Sequence, residues 1–183
     1  MRNLRILILI ALACSNCWAK SDRADQVLTD ASKQASEQHK AIFLIFGASW
    51  CEDCDVLNKF LAAPEVRALF ERYFVVVHLG VFEKLGQHPE LENPGADRLL
   101  IKFGGASDAG EIALPFFVVL DASGSLLVNS VPAGKSVAQG IGYPHERYEI
   151  AWFIHMLKTG APQISAGEQR LVENRLSGVA GQD

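Results

Sequence analysis

The residues of this chain best suited to chemistry are Cys51-Glu52-Asp53-Cys54. Two cysteines three positions apart at the start of a helix hold their Cβ atoms about 5–6 Å from each other, close to what a disulfide requires. A reversible disulfide is therefore geometrically easy. The free N–H groups and partial positive charge of a helix N-terminus favour thiolate over thiol at the first cysteine, and the thiolate is the attacking species. Cys51 is the expected nucleophile. It attacks a substrate disulfide to give a mixed disulfide, which Cys54 resolves by releasing reduced substrate. Glu52, Asp53 and Asp55 set three negative charges near that thiolate and oppose the helix dipole, which predicts a reducing rather than a strongly oxidising pair. The same acids also suit a helix N-terminus on structural grounds alone. The competing readings are an inert disulfide and a zinc half-site. Zinc needs two further ligands, and the five histidines (His39, His78, His88, His145, His155) form no pair at ligand spacing. No metal is expected, and no cofactor beyond the cysteine pair itself.

The elements that must position the pair follow from pattern. Residues 41–46, Ala-Ile-Phe-Leu-Ile-Phe, form a continuous apolar run of strand length closed by Gly47, as suits a strand covered on both faces. A helix is predicted from Cys51 to Ala63, with Val56, Leu57, Phe60 and Leu61 on one face, and Pro64 marks a kink or a restart through residues 65–72. Ahead of them, residues 21–40 read as an amphipathic surface helix with a narrow face of Ala24, Val27, Leu28, Ala31 and Ala35. Residues 73–79 are β-branched and aromatic, a second buried strand interrupted only by His78. Residues 80–94 are turn-rich, 96–103 suit a short helix and 104–110 a loop. Pro115 then opens a third strand at 116–120, and Asp121-Ala122-Ser123-Gly124 turns it into a fourth at 125–131. A helix over 144–158 is closed by Thr159-Gly160-Ala161-Pro162, and the last twenty or so residues are weakly patterned. The alternation of helices and strands ending in a hairpin gives an α/β class.

The run Phe46-Gly47-Ala48-Ser49-Trp50-Cys51-Glu52-Asp53-Cys54 after an apolar strand, with Leu114-Pro115 before a second one, resembles the thioredoxin superfamily. It is most similar to the exported thioredoxin-like disulfide reductases and isomerases. The resemblance spans about residues 40–131. It implies a thioredoxin-like fold: a central mixed sheet flanked by helices, here with an insertion between the second and third core strands (residues 80–110). It further implies that Cys51 and Cys54 are catalytic, that Trp50 flanks the nucleophile, and that Pro115 is cis and faces the disulfide while the backbone of Leu114 pairs with a bound peptide. A proline at a strand start is compatible with such a bond, because it has no N–H to give to a ladder. Two features depart from the family pattern. Compact thioredoxins carry a buried acid six residues ahead of the first cysteine, where this chain has Ile45. On the next strand they often carry a lysine, which His78 best matches here, making His78 the candidate for proton transfer from Cys54.

The chain has 183 residues, 49% of them apolar and 21% charged, which excludes disorder and coiled coil, and a formal net charge of −4 without a basic block, which speaks against nucleic acid as a partner. Arg2 and Arg5 precede the apolar residues 6–13, the outline of a secretory signal too short to span a membrane. A cut after Ala19 removes Cys14 and Cys17, leaves one cysteine pair and takes the charge from −4 to −6 by removing those two arginines. A cut before Cys14, giving a lipoprotein, is the alternative. The expected organisation is a signal peptide at 1–19, a thioredoxin-like domain at 20–160 and a tail or short helix at 161–183. The expected product is a periplasmic or secreted monomer that reduces or isomerises disulfides in protein substrates and is recharged by an upstream redox partner. A reductant for cytochrome c maturation and a redox-inert binding or chaperone module are the alternatives.

Overall fold

The computed structural model describes residues 22–107 and 110–178. The expected signal peptide, the lipoprotein cysteine Cys14 and the last five residues of the expected tail lie outside the described residues. Among the described residues six α-helices, α1 (Ala24–Gln38), α2 (Glu52–Ala62), α3 (Pro64–Tyr73), α4 (Ala96–Lys102), α5 (Arg147–Gly160) and α6 (Ala166–Leu176), surround four strands, β1 (Ala41–Gly47), β2 (Phe74–Gly80), β3 (Phe116–Leu120) and β4 (Leu126–Asn129). The sheet order is β2-β1-β3-β4. β1 runs parallel to β2 and antiparallel to β3, and β3 pairs antiparallel with β4. The sheet is mixed, as expected.

Because successive strand residues point to opposite faces, the apolar run of β1 feeds two cores. Phe43 and Ile45 join Phe117 and Val119 under α2, α3, α5 and α6. Ile42, Leu44 and Phe46 join Val75, Val77, Leu79, Val118 and Leu120 under α1 and α4. A strand with an apolar residue at every position thus has no solvent face, which is why β1 lies inside the sheet. Pro64 occupies the first turn of α3, so the chain restarts there rather than kinking. Tyr73, expected to open the second strand, instead ends α3, and α5 begins at Arg147 rather than Pro144, because Glu146 and Glu149 form a capping box at that point.

The C-terminal region contains α6, which packs against α5 and α3 through Val172 and Leu176. Ser165 caps it, and Glu168 closes a capping box. The Glu168 carboxylate also accepts from Arg72 Nη1 at 2.8 Å and from the Tyr73 hydroxyl at 3.1 Å, while Arg175 pairs with Glu65. Hydrogen bonds from the backbone and hydroxyl of Ser165, then those from Tyr73 and the charge of Arg72, hold the Glu168 carboxyl below the usual range. Such a group stabilises the fold above its unfolded pKa, and that contribution is lost as the pH falls through its folded value. Glu168→Ala is expected to cost about 1 kcal/mol at pH 7. Urea unfolding should show the gap between variant and parent closing in acid; a gap unchanged at pH 3 would contradict the assignment.

Candidate active site

β1 ends at Gly47, and the next four residues carry the chain to the N-terminus of α2. A Cβ at Gly47 would lie 3.3 Å from Cys54 Sγ, so glycine lets the first turn of α2 sit directly against the strand end. Cys51 is the N-cap of α2, and its Sγ accepts from the Cys54 N–H at 3.2 Å. In the dithiol form the same N–H, together with the helix terminus, favours a Cys51 thiolate. Cys51 and Cys54 form a disulfide with their Cα atoms 5.2 Å apart. Glu52, Asp53 and Asp55 all fall in the first turn, exposed around the pair.

The residues named from sequence come to this pair from separate elements. The Leu114–Pro115 peptide is cis, Pro115 is buried, and Leu114 packs against Ala48, Cys51 and Cys54. Trp50 is 44% exposed, with its indole N–H donating to the Phe82 carbonyl at 2.9 Å. Gly86 lies under that ring, where a Cβ would stand 2.5 Å from Trp50 Cδ1. Trp50 is therefore held by the segment after β2. That segment is the expected insertion, and it divides: the short 3-10 turn Glu83–Gly86 lies at the site, whereas α4 and the residue after it cover the far face of the sheet with Leu100 and Phe103. A surface groove of about 420 Å³ runs past the disulfide between these walls, lined by Trp50, Cys51, Asp53, Leu85, Ile112 and Leu114 among others. Leu85, 74% exposed, and Ile112 give it an apolar rim.

Behind the disulfide lies a second cavity, of about 210 Å³, reached by Cys54, Asp55, Asn58, His78 and Glu83. His78 pairs in register with Ile45 and shares its face of the sheet, so the strand position that lacks an acid and the histidine are neighbours. His78 is exposed, yet desolvation by the protein around the ring pushes its pKa down. The lowered pKa favours the neutral ring and makes it a weaker base than a free histidine.

Sequence reasoning missed Glu83. Its side chain is buried, and its carboxylate accepts from the Ser49 N–H at 2.9 and 3.1 Å and from the Ser49 hydroxyl at 2.6 Å. Its own N–H donates to Glu92 Oε2 at 3.2 Å. A single acid in a turn-rich stretch without periodicity reads as solvated, and no local signal marks its partner 34 positions earlier. Among the described residues no group of three or more His, Cys, Asp or Glu could hold a metal ion, and no helix is long and apolar enough to cross a membrane.

Comparison with solved structures finds similarity to a disulphide isomerase from Xylella fastidiosa Temecula1, 27% identical over 61% of this chain and 75% of that one, with a TM-score of 0.47. A DsbH oxidoreductase is 17% identical over 83% of this chain and 93% of that one, TM-score 0.46. The C-terminal domain of Neisseria meningitidis DsbD in its oxidised form is 20% identical over 75% and 99%, TM-score 0.41. Comparison with curated proteins finds no match. The family model described as thioredoxin-like matches residues 23–122, more than half of the 183 residues and the whole span from α1 through β3 that builds the cysteine pair and its cis-proline wall: the chain belongs to the thioredoxin-like family.

Proposed function

We propose that this protein is a thiol-disulfide oxidoreductase that reduces or isomerises disulfides in polypeptide substrates through the Cys51/Cys54 dithiol. The observation that carries this reading is the Cys51–Cys54 pair at the N-terminus of α2, with Leu114 of the cis peptide against it and an open groove alongside. Cys51, whose sulfur receives the Cys54 N–H, is the nucleophile, and Cys54 is the resolving thiol. The groove suits an extended chain with apolar side chains against Trp50, Leu85 and Ile112, and Glu52 and Asp53 on its rim favour basic neighbours in that chain. Leu114 and Pro115 form the substrate wall, as the family resemblance implies. A cell-envelope location rests on the sequence of residues 1–19, and a dithiol donor there would recharge the pair.

The three acids in the first turn disfavour the thiolate and so favour a reducing pair. A glutathione titration of the purified protein, followed by alkylation and mass spectrometry of Cys51 and Cys54, tests both claims. The expected midpoint is near or below about −230 mV. A value near about −120 mV would overturn the reducing direction, and an absence of exchange would overturn the oxidoreductase reading itself.

A further inference from the structure

The resolving step needs somewhere for the Cys54 proton to go, and the strand position ahead of the motif holds Ile45, which has no charge to offer. Five side chains besides Cys54 bring polar or titratable groups to the cavity behind the disulfide: Ser49 from the segment after β1, His78 from β2, Asp55 and Asn58 from α2, and Glu83 from the 3-10 turn. Ser49, Asp55, Asn58 and His78 are exposed. Glu83 alone among them is buried, 4% exposed.

The hydrogen bonds around Glu83 fix where its charge stands. Both carboxylate oxygens accept from Ser49, two residues ahead of Cys51, so the carboxylate is tied to the segment that leads into α2. Gly80, where a Cβ would overlap the Leu91 carbonyl oxygen, lets the segment after β2 fold tightly against the strand end, and Glu83 Oε1 lies at ordinary contact distance, 3.5 Å, from the same point. A cavity of about 210 Å³ with these polar walls is wide enough to carry a proton through water.

On the oxidoreductase reading given above, we infer that Glu83 is the proton acceptor for Cys54, taking from the turn after β2 the part that no strand acid plays in this chain. In the resolving step the Cys54 thiol gives its proton across the cavity to the Glu83 carboxylate. The Cys54 thiolate then attacks the Cys51 sulfur of the mixed disulfide, the Cys51–Cys54 bond forms, and the bond from Cys51 to substrate breaks. The substrate sulfur leaves as a thiolate and is protonated by solvent. Two electrons pass from the dithiol to the substrate, and Glu83 returns its proton when a dithiol donor reduces the pair again. The bonds to Ser49 give Glu83 a second, structural part, so the test must separate charge from position.

Glu83→Gln makes that separation, because an amide can accept from the Ser49 N–H and donate to its hydroxyl while carrying no charge. The reduced full-length protein is mixed with a disulfide peptide, quenched with acid, and the mixed disulfide is counted by mass spectrometry between pH 6 and pH 9. The parent is expected to resolve at a rate nearly flat with pH. Glu83→Gln is expected to accumulate mixed disulfide at pH 6 to 7, resolving at least about 100-fold more slowly, and to recover as the pH rises and solvent deprotonates Cys54 directly. Ser49→Ala, which keeps the charge, and His78→Gln and Asp55→Asn, which remove the other titratable groups facing the cavity, are expected to keep the flat profile. Glu92→Gln, altering the acid that holds the Glu83 backbone, should keep it too.

Resolution by Glu83→Gln at the parental rate and with the parental pH profile overturns the inference, as does the same defect in His78→Gln with Glu83→Gln unaffected. Should Glu83→Gln fail to fold by circular dichroism, Glu83→Asp carries the test. It retains the charge one methylene short of its place, and intermediate accumulation supports the inference while a parental rate overturns it. If the parent protein forms no mixed disulfide at all, it is the oxidoreductase reading that fails.

Discussion

Cys51→Ser is expected to lose disulfide reduction completely, to the rate seen without protein, while Cys54→Ser remains able to attack and becomes trapped. The difference follows from position. Cys51 is the N-cap, its sulfur receives the Cys54 N–H at 3.2 Å, and it lines the groove. Cys54 lies one turn in, facing the separate cavity on the other side. A substrate disulfide entering along the groove therefore meets Cys51 first. With serine at 51, an alcohol that stays protonated near neutrality replaces the thiolate and no exchange begins. With serine at 54, the first step proceeds and the second has no thiol, so the substrate stays bound to Cys51. Insulin-disulfide reduction measures the loss, and a non-reducing gel with mass spectrometry shows the trapped species. Turnover retained by Cys51→Ser, or substrate found attached at Cys54 in the parent, would reverse the assignment of the two roles.

The largest expected effect on stability comes from Phe43→Ala. Phe43 is fully buried in the middle of β1, with ring centroids of Phe70 at 5.1 Å, Phe117 at 5.5 Å, Phe74 at 5.9 Å and Phe153 at 6.0 Å. One side chain therefore ties β1 to α3, β2, β3 and α5. Removing the ring forfeits its transfer free energy and leaves a cavity that four aromatic neighbours on separate elements cannot collapse into, a loss of about 3–5 kcal/mol. A domain holds only about 5–15 kcal/mol in total, so the urea midpoint should fall by about a fifth or more with its slope unchanged. Leu126→Ala on the edge strand, where the side chain is 43% exposed, is expected to cost under about 1 kcal/mol. Equal losses at the two sites would mean that the face under α2, α3 and α5 is not the principal core.

How much of this was legible in the sequence depended on the range of the signal. β1 could be read because an unbroken apolar run says locally that both faces are covered. α2 could be read from the spacing of Leu57, Phe60 and Leu61, and its start from the cysteine pair and the acids that favour a helix N-terminus. Pro64 announced a break between α2 and α3, and Pro115 announced a strand start. The thioredoxin-like fold was recognisable from that order together with Trp50-Cys51 and Leu114-Pro115, and the family match agrees with it. His78 was picked out as the polar residue in an apolar strand, and the pairing of Ile45 with His78 gives that observation a place in space.

By itself, then, the sequence determined the chemistry on offer and the elements that carry it, because residue type, helical or strand period and punctuation by Gly and Pro all act between near neighbours. Only the tertiary structure decided that residues 83–86 fold back onto Ser49 and Trp50 while α4 crosses to the far face, that α6 closes over α3 and α5 with Glu168 held by Arg72, and that a glutamate in a turn brings a buried acid to the site. Those contacts join positions 32 to 96 residues apart. The free energy of each depends on what the rest of the fold has already brought together, so no local pattern encodes it.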